Sequence, residues 1–211
     1  MNRIAHGLKA GSQSSAARIS STEPMIAGVL APRLDLLFDE LPDLRIEFDV
    51  DTGLSDLNAG DVDIAIRLAK PTVDTLIGRK LPRIELGLYC TRTYLSDRAP
   101  TDLDLAQHHL LWLDTRYGAI PENQWLKAQN LEQAVRVRSS SIKALEAACL
   151  SGVGIAPLPV FSSTDLDLVK IPSAPLPPRQ PWIVFHRDTR ANKTLKKIRD
   201  WIFQVCTDVF G

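Results

Sequence analysis

The chain has 211 residues, 45% of them hydrophobic, enough for one large domain or two small lobes that share one. Its 25 basic and 25 acidic side chains cancel, whereas a surface that neutralised many phosphates by itself would be clearly basic, so this chain is not expected to bind DNA through its own surface. The 3 cysteines (Cys90, Cys149, Cys206) are far apart and in apolar company, which suits buried free thiols in a reducing cytoplasm better than a disulfide framework or a metal site.

Residues 1–15, with Gly7, Gly11 and a Ser/Gln run, read as a linker tail. This stretch lacks the apolar segment of a secretory signal, and no run reaches the roughly 18 apolar residues of a membrane span. A cytoplasmic protein without membrane partners is therefore expected. Ala16–Thr22 reads as a short strand running into a turn. Glu23 then opens a helix whose apolar positions Ile26, Leu30, Leu34, Leu37 and Leu41 recur at three- and four-residue steps, until Pro42 stops it. Leu44–Val50 alternates apolar and polar, as a half-buried strand does. A short helix around Leu54–Ala59 and a turn at Gly60-Asp61 lead to another strand, Val62–Leu68. Ile84–Cys90 is a further extended run. A second unit of the same kind follows: strands at Leu110–Leu113 and Val135–Arg138, a helix over Ser141–Ser151, a break at Gly152-Val-Gly154, and an apolar run at Ile155–Phe161. Val169–Ile171 and Trp182–His186 read as strands around a proline-rich loop at Ser173–Pro181. The chain closes on an amphipathic helix with Leu195, Ile198, Ile202, Val205 and Val209 in register. Alternating strands and helices indicate α/β units with largely parallel sheets.

No catalytic constellation stands out in the sequence. His108-His109 has no acidic or cysteine partner at metal-ligand spacing, and His6 and His186 are isolated. Gly-x-Ser-x-Gly, phosphate-binding and dinucleotide motifs are absent, so no enzymatic activity, metal or cofactor is expected.

Four blocks in series carry a family resemblance. Leu57-Asn-Ala-Gly-Asp-Val-Asp-Ile-Ala-Ile-Arg67 resembles the Leu-x-x-Gly-x-x-Asp-x-Ala-Ile-Arg signature of LysR-type effector-binding domains. Ala31-Pro-Arg-Leu34 and Leu41-Pro-Asp-Leu-Arg-Ile46 are similar to their first helix and second strand. Ser141–Pro159 is similar to the helix and Gly-x-Gly-Ile-Ala-x-x-Pro turn of their second lobe. The resemblance spans essentially Ala16–Gly211. It implies an α/β fold of two αβ lobes joined by two crossover strands, periplasmic-binding-protein-like (type 2), with a small-molecule effector between the lobes. The expected organisation is a linker tail at 1–15, regulatory lobe I at 16–92 plus 187–211, and regulatory lobe II at 93–186. The first crossover is expected near Cys90–Thr93 and the second after His186. The family's full-length members carry an N-terminal winged helix-turn-helix that reads DNA. Nothing here matches that reader, so the chain is expected to be a truncated piece or a gene remnant that reaches DNA only through a missing domain. The resemblance also implies a homodimer, and a higher oligomer in the full-length protein. The Glu23–Leu41 helix would pack antiparallel on the partner's Ser141–Ser151 helix, using Met25, Val29 and Leu36 on the first and Ala144, Ala148 and Leu150 on the second.

Candidate effector contacts follow from the same layout. Ser20-Ser21-Thr22-Glu23 stands where a strand passes into a helix, and hydroxyls with free backbone N–H groups there suit a carboxylate, although simple capping by Thr22 would explain them too. Glu23 would penalise an anion and favour an amine or hydroxyl. Arg67 ends a strand at the sheet's carboxyl edge, where ligands bind in open α/β sheets and a guanidinium can clamp a carboxylate; a surface ion pair with Asp61 or Asp63 is the alternative. Thr52, Asp114, Thr115 and Pro157 occupy corresponding edges and turns. Ser139, Ser140 and Ser141 open the second-lobe helix, where a polar turn is as good an explanation as a contact. A transporter's solute-binding protein and an enzyme on the same two-lobe fold are the rival readings.

Overall fold

The computed structural model describes residues 16–50, 61–96, 98–101, 103–114, 120–164, 166–172 and 175–211. The expected linker tail, the Leu54–Ala59 helix, Thr52 and Thr115 lie outside these residues.

Among the described residues, ten strands build two sheets. The first runs β2-β1-β3-β10-β4, with β1 at Ala16–Ser21, β2 at Arg45–Val50, β3 at Ile64–Arg67, β4 at Leu76–Lys80 and β10 at Trp182–His186. β1 pairs in parallel with β2 and β3, and β10 is antiparallel to β3 and β4. In the second half, β8 (Ala156–Pro159), β5 (Leu86–Cys90) and β9 (Val169–Ile171) form one sheet, and β6 (Leu110–Leu113) pairs in parallel with β7 (Val135–Ser139). A parallel bridge between Leu110 and Ile155 joins the two pieces, Leu111 N–H donating to Ile155 O at 2.8 Å and Ile155 N–H to His109 O at 2.9 Å. The second sheet therefore reads β7-β6-β8-β5-β9, the same order and the same pattern of directions as the first.

That equivalence moves the crossovers. The first was expected near Cys90–Thr93, but β5 already pairs with β8 and β9, so the chain has changed lobe before Leu86. The second was expected after His186, but β10 sits between β3 and β4, so the chain returns before Trp182. In both cases an apolar strand looked like the last of one lobe and is the fourth position of the other. The two connecting segments hold each other. Ile84 and Arg179 exchange both backbone hydrogen bonds at 2.9 Å, and Leu81 N–H donates to Pro181 O at 3.0 Å.

The helical run after β1 is broken where its sequence dictates. It passes from a single α turn at Glu23–Met25 through a π segment at Ile26–Leu30 and a 3-10 turn at Ala31–Arg33 to an α-helix at Leu34–Glu40. Pro32 has no N–H for the carbonyl of Gly28, four residues back. Arg33 supplies the missing donors, its Nη1 reaching Val29 O at 3.0 Å and Gly28 O at 3.4 Å. Met25 and Val29, expected on a dimer surface, are instead 3% and 0% exposed within this chain's own core. The closing helix, Lys193–Phe210, buries Leu195, Ile198, Ile202 and Val205 as the periodicity requires, and packs on the Ile26–Leu30 segment of the first lobe. Trp201 Nε1 donates to Arg33 O at 3.2 Å and pins the contact. Among the described residues, no helix is long and apolar enough to cross a membrane.

Candidate functional site

The cleft lies where the two lobes and both connections meet. Its first-lobe wall is Ser21, Thr22, Met25 and Ile66; its second-lobe wall is Ile142, Pro159 and Phe161; Ile84 and Arg179 close it from the crossovers. The space left between these walls is about 20 Å³, room for one or two waters.

Three consecutive residues at the end of β1 have three different fates. Ser20 is fully buried, and its Oγ accepts from Arg67 Nη2 at 2.8 Å. Ser21 points the other way along the pleat; it is 1% exposed, and its Oγ has no hydrogen-bond partner. Thr22 precedes the helical turn in extended conformation, but its side chain makes no capping bond, so capping does not account for its hydroxyl. A buried hydroxyl without a partner is a standing free-energy cost of about 1–3 kcal/mol, which a group entering the cleft can remove. Glu23 is exposed and is not part of the cleft wall.

Arg67 is not the surface residue an ion pair with Asp61 or Asp63 would need. It is 4% exposed, with Nη1 on Ser20 O at 3.0 Å and Ile66 O at 3.2 Å and Nη2 on Ser20 Oγ. Asp63 instead accepts from the Arg18 N–H at 2.8 Å. The guanidinium thus ties the end of β3 to the end of β1, immediately beside Ser21.

In the second lobe the hydroxyls serve the backbone. Ser139 Oγ accepts from Ser141 N–H at 3.0 Å, and Ser141 Oγ caps the Ile142–Leu150 helix through Ala144 N–H at 3.2 Å. Ser140 is exposed. Pro157 is buried inside β8 opposite Leu88, and it is Pro159, two residues on, that reaches the cleft. Asp114 follows β6, its N–H donating to Ser139 O at 3.0 Å and its carbonyl accepting from Asn123 Nδ2 at 3.5 Å. Trp112 is core: fully buried and stacked on Trp125, centroids 5.9 Å apart.

Arg179 escaped sequence reasoning. Its Nε donates to Glu122 Oε1, on the first turn of the Pro121–Ala128 helix. Arg179 is 11% exposed and Glu122 0%, and Glu122 Oε2 has no partner. The residue lies in a proline-rich stretch that reads as a loop, and a glutamate in a first turn reads as a dipole partner. Neither signal reveals a buried ion pair.

Two lobes of equivalent strand order, joined by paired crossovers around a shared cleft, define a periplasmic-binding-protein-like ligand-binding domain. A family model described as "LysR substrate binding domain" matches residues 10–207, and the chain belongs to that family. A curated relative, the Mau operon transcriptional activator of Paracoccus denitrificans, is 26% identical over 201 residues. The match covers 92% of this chain, which spans 65% of the relative's length. Among solved structures, CrgA of Neisseria meningitidis, a LysR-type transcriptional regulator, superposes with a TM-score of 0.78 at 23% identity, over 92% of this chain and 69% of that one. The effector-binding domain of QuiR, in complex with shikimate, superposes with a TM-score of 0.74 at 17% identity, over 94% of this chain and 100% of that one. At these identities the structural likenesses speak for the fold.

Proposed function

We propose that this chain is the effector-sensing part of a cytoplasmic LysR-type transcription regulator, which binds a small molecule carrying a carboxylate between its lobes. Occupancy changes lobe and dimer geometry, and a separate winged helix-turn-helix domain carries that change to DNA. The observation that carries the reading is Ser21: a buried hydroxyl without a partner, in a cleft walled by both lobes and both crossovers. Thr22 supplies a second hydroxyl. Arg67 acts on the site through Ser20, fixing the strand end from which Ser21 and Thr22 project. Thr52, Asp114, Thr115 and the Ser139–Ser141 turn are further contacts when the lobes rearrange around a ligand.

The cavity among the described residues has room for only a water or two, so on this reading an effector enters as its walls part. An effector that binds the parted arrangement more tightly draws the population toward it, and that difference in affinity is the signal. The test is calorimetric titration of the chain with shikimate, which the QuiR domain holds, and with other small acids, amines and alcohols. At least one ligand should bind, and Ser21→Tyr, which fills the cleft, should abolish it. Binding that survives Ser21→Tyr would place the ligand elsewhere and sink the reading.

A further inference from the structure

We propose that Arg179 is the specificity-determining residue of this cleft, selecting a ligand with a carboxylate or another planar oxyanion, and that Glu122 is its positioning residue. The inference rests on the reading of the cleft as an effector site and adds the chemistry of what it accepts.

Three observations converge. The first is the way the pair is made. Arg–carboxylate pairs are frequently bidentate, meeting fork to fork through two parallel bonds. Here Arg179 gives Glu122 its Nε alone, and among the described residues its two Nη groups make no hydrogen bond. Glu122, fully buried, keeps Oε2 without a partner. The pair buries the Glu122 carboxylate while leaving the wider half of the guanidinium fork open for a second anion. The second is position. Arg179 lines the cleft together with Ser21, whose buried Oγ is also without a partner and can donate to an oxyanion. A carboxylate between them would accept from the Nη groups on one side and the hydroxyl on the other. The third is mounting. Arg179 sits on the returning crossover, locked to Ile84 on the outgoing one by the two 2.9 Å backbone bonds. Its backbone stays with the hinge when the lobes move, while Ser21 travels with the first lobe and Glu122 with the second. A ligand that spans Arg179 and Ser21 therefore senses lobe separation directly. Arg67 does not compete for this role, because its Nη groups are engaged with Ser20 and Ile66 carbonyl.

The experiment titrates the whole chain with matched probes that differ only in charge: benzoate against benzamide, and cyclohexanecarboxylate against cyclohexanecarboxamide. Arg179→Gln by itself leaves Glu122 buried without its cation, so the decisive variant also carries Glu122→Gln. Wild type should bind the acids more tightly than the amides. The double variant should lose about ten- to a hundred-fold on the acids, the loss of a charge-assisted pair, and almost nothing on the amides. Arg179→Lys, which keeps the charge without the planar fork, should fall between. If the double variant still prefers the acids by the wild-type ratio while Ser21→Tyr abolishes binding, the cleft stands and the role given to Arg179 is wrong. If binding survives Ser21→Tyr, or no probe binds wild type, the reading of the cleft fails as well.

Discussion

Cys90 and Cys149 come from adjacent elements of the second lobe, and Cys206 from the closing helix; all are fully buried. Burial pushes the Cys90 thiol up to about 11, and the Cys149 and Cys206 thiols up to about 12; Cys149 also donates to Tyr89 O at 3.2 Å. Since the thiolate is the nucleophile, none should react with a disulfide reagent at pH 8 until the chain unfolds, and the reaction rate should follow unfolding in urea. A thiol titrating at once in native protein would contradict this. His108 offers a pH test. Burial, reinforced by the Arg98 cation, holds its folded pKa below the ordinary value. The unfolded chain then binds a proton that the folded one refuses. Stability should fall as pH drops from about 6.5 through the lowered folded value, with proton uptake on unfolding. His108→Gln should remove that part of the decline, visible as a smaller difference between urea midpoints at pH 7.5 and 5.5 than in wild type. At this scale the strand-to-helix junction that carries Ser21 and Thr22 was legible, because β1 and the helical turn after it each show in the sequence. The pairing of Arg179 with Glu122 was not, since the two are 57 residues apart in sequence.

Helix-and-strand grammar explains the glycine pair that ends the Ile142–Leu150 helix. Gly152 takes a positive φ of 74°, its N–H reaching Cys149 O at 2.9 Å while Val153 N–H reaches Ala148 O at 3.2 Å, a Schellman cap. Gly154 is required for a different reason. A Cβ there would lie 2.3 Å from His109 O, the carbonyl that accepts from Ile155 and joins β6 to β8. Gly154→Ala must therefore push two strands apart, and should cost about 1–3 kcal/mol by urea unfolding. Gly152→Ala, left-handed but with only an ordinary contact to Thr91 Oγ1 at 3.5 Å, should cost about 1–2 kcal/mol. A Gly154→Ala chain as stable as wild type would show that the lobe does not depend on this close approach. Most elements could be read from their periodicity. Among those that could not are β4, an edge strand whose Gly78, Arg79 and Lys80 break any alternation, and the Pro121–Ala128 helix, which shows only Trp125 and Leu126 as apolar anchors. The Glu23–Glu40 run was read as one helix because its apolar spacing continues straight through Pro32.

The surface of the whole molecule leaves Leu36 56% exposed and Phe38 37% exposed on one helix, with Leu150 at 39% and Val153 at 41% at the end of another. Burial of such residues on a second copy stabilises by about 25 cal/mol per Å² of apolar surface, and the family resemblance puts these two helices together. Sedimentation on the order of tens of micromolar, a usual working range for such interfaces, should show a dimer, and Leu36→Glu with Leu150→Lys should give a folded monomer. A wild-type monomer there would remove the dimer from the proposed mechanism. The two-lobe architecture was legible as a repeated alternation of strands and helices. The crossover points were not, because an exchanged strand carries no mark of which sheet receives it. That exchange has a consequence for synthesis. Every strand of the second sheet is outside the ribosome once Ile171 has emerged. The first sheet has a gap between β3 and β4 until His186 emerges, and β4 has no neighbour to pair with before then. The half that is translated second should be the half that folds first, so nascent chains whose emerged portion ends near residue 175 should carry a protease-resistant C-terminal fragment and a cleavable N-terminal one.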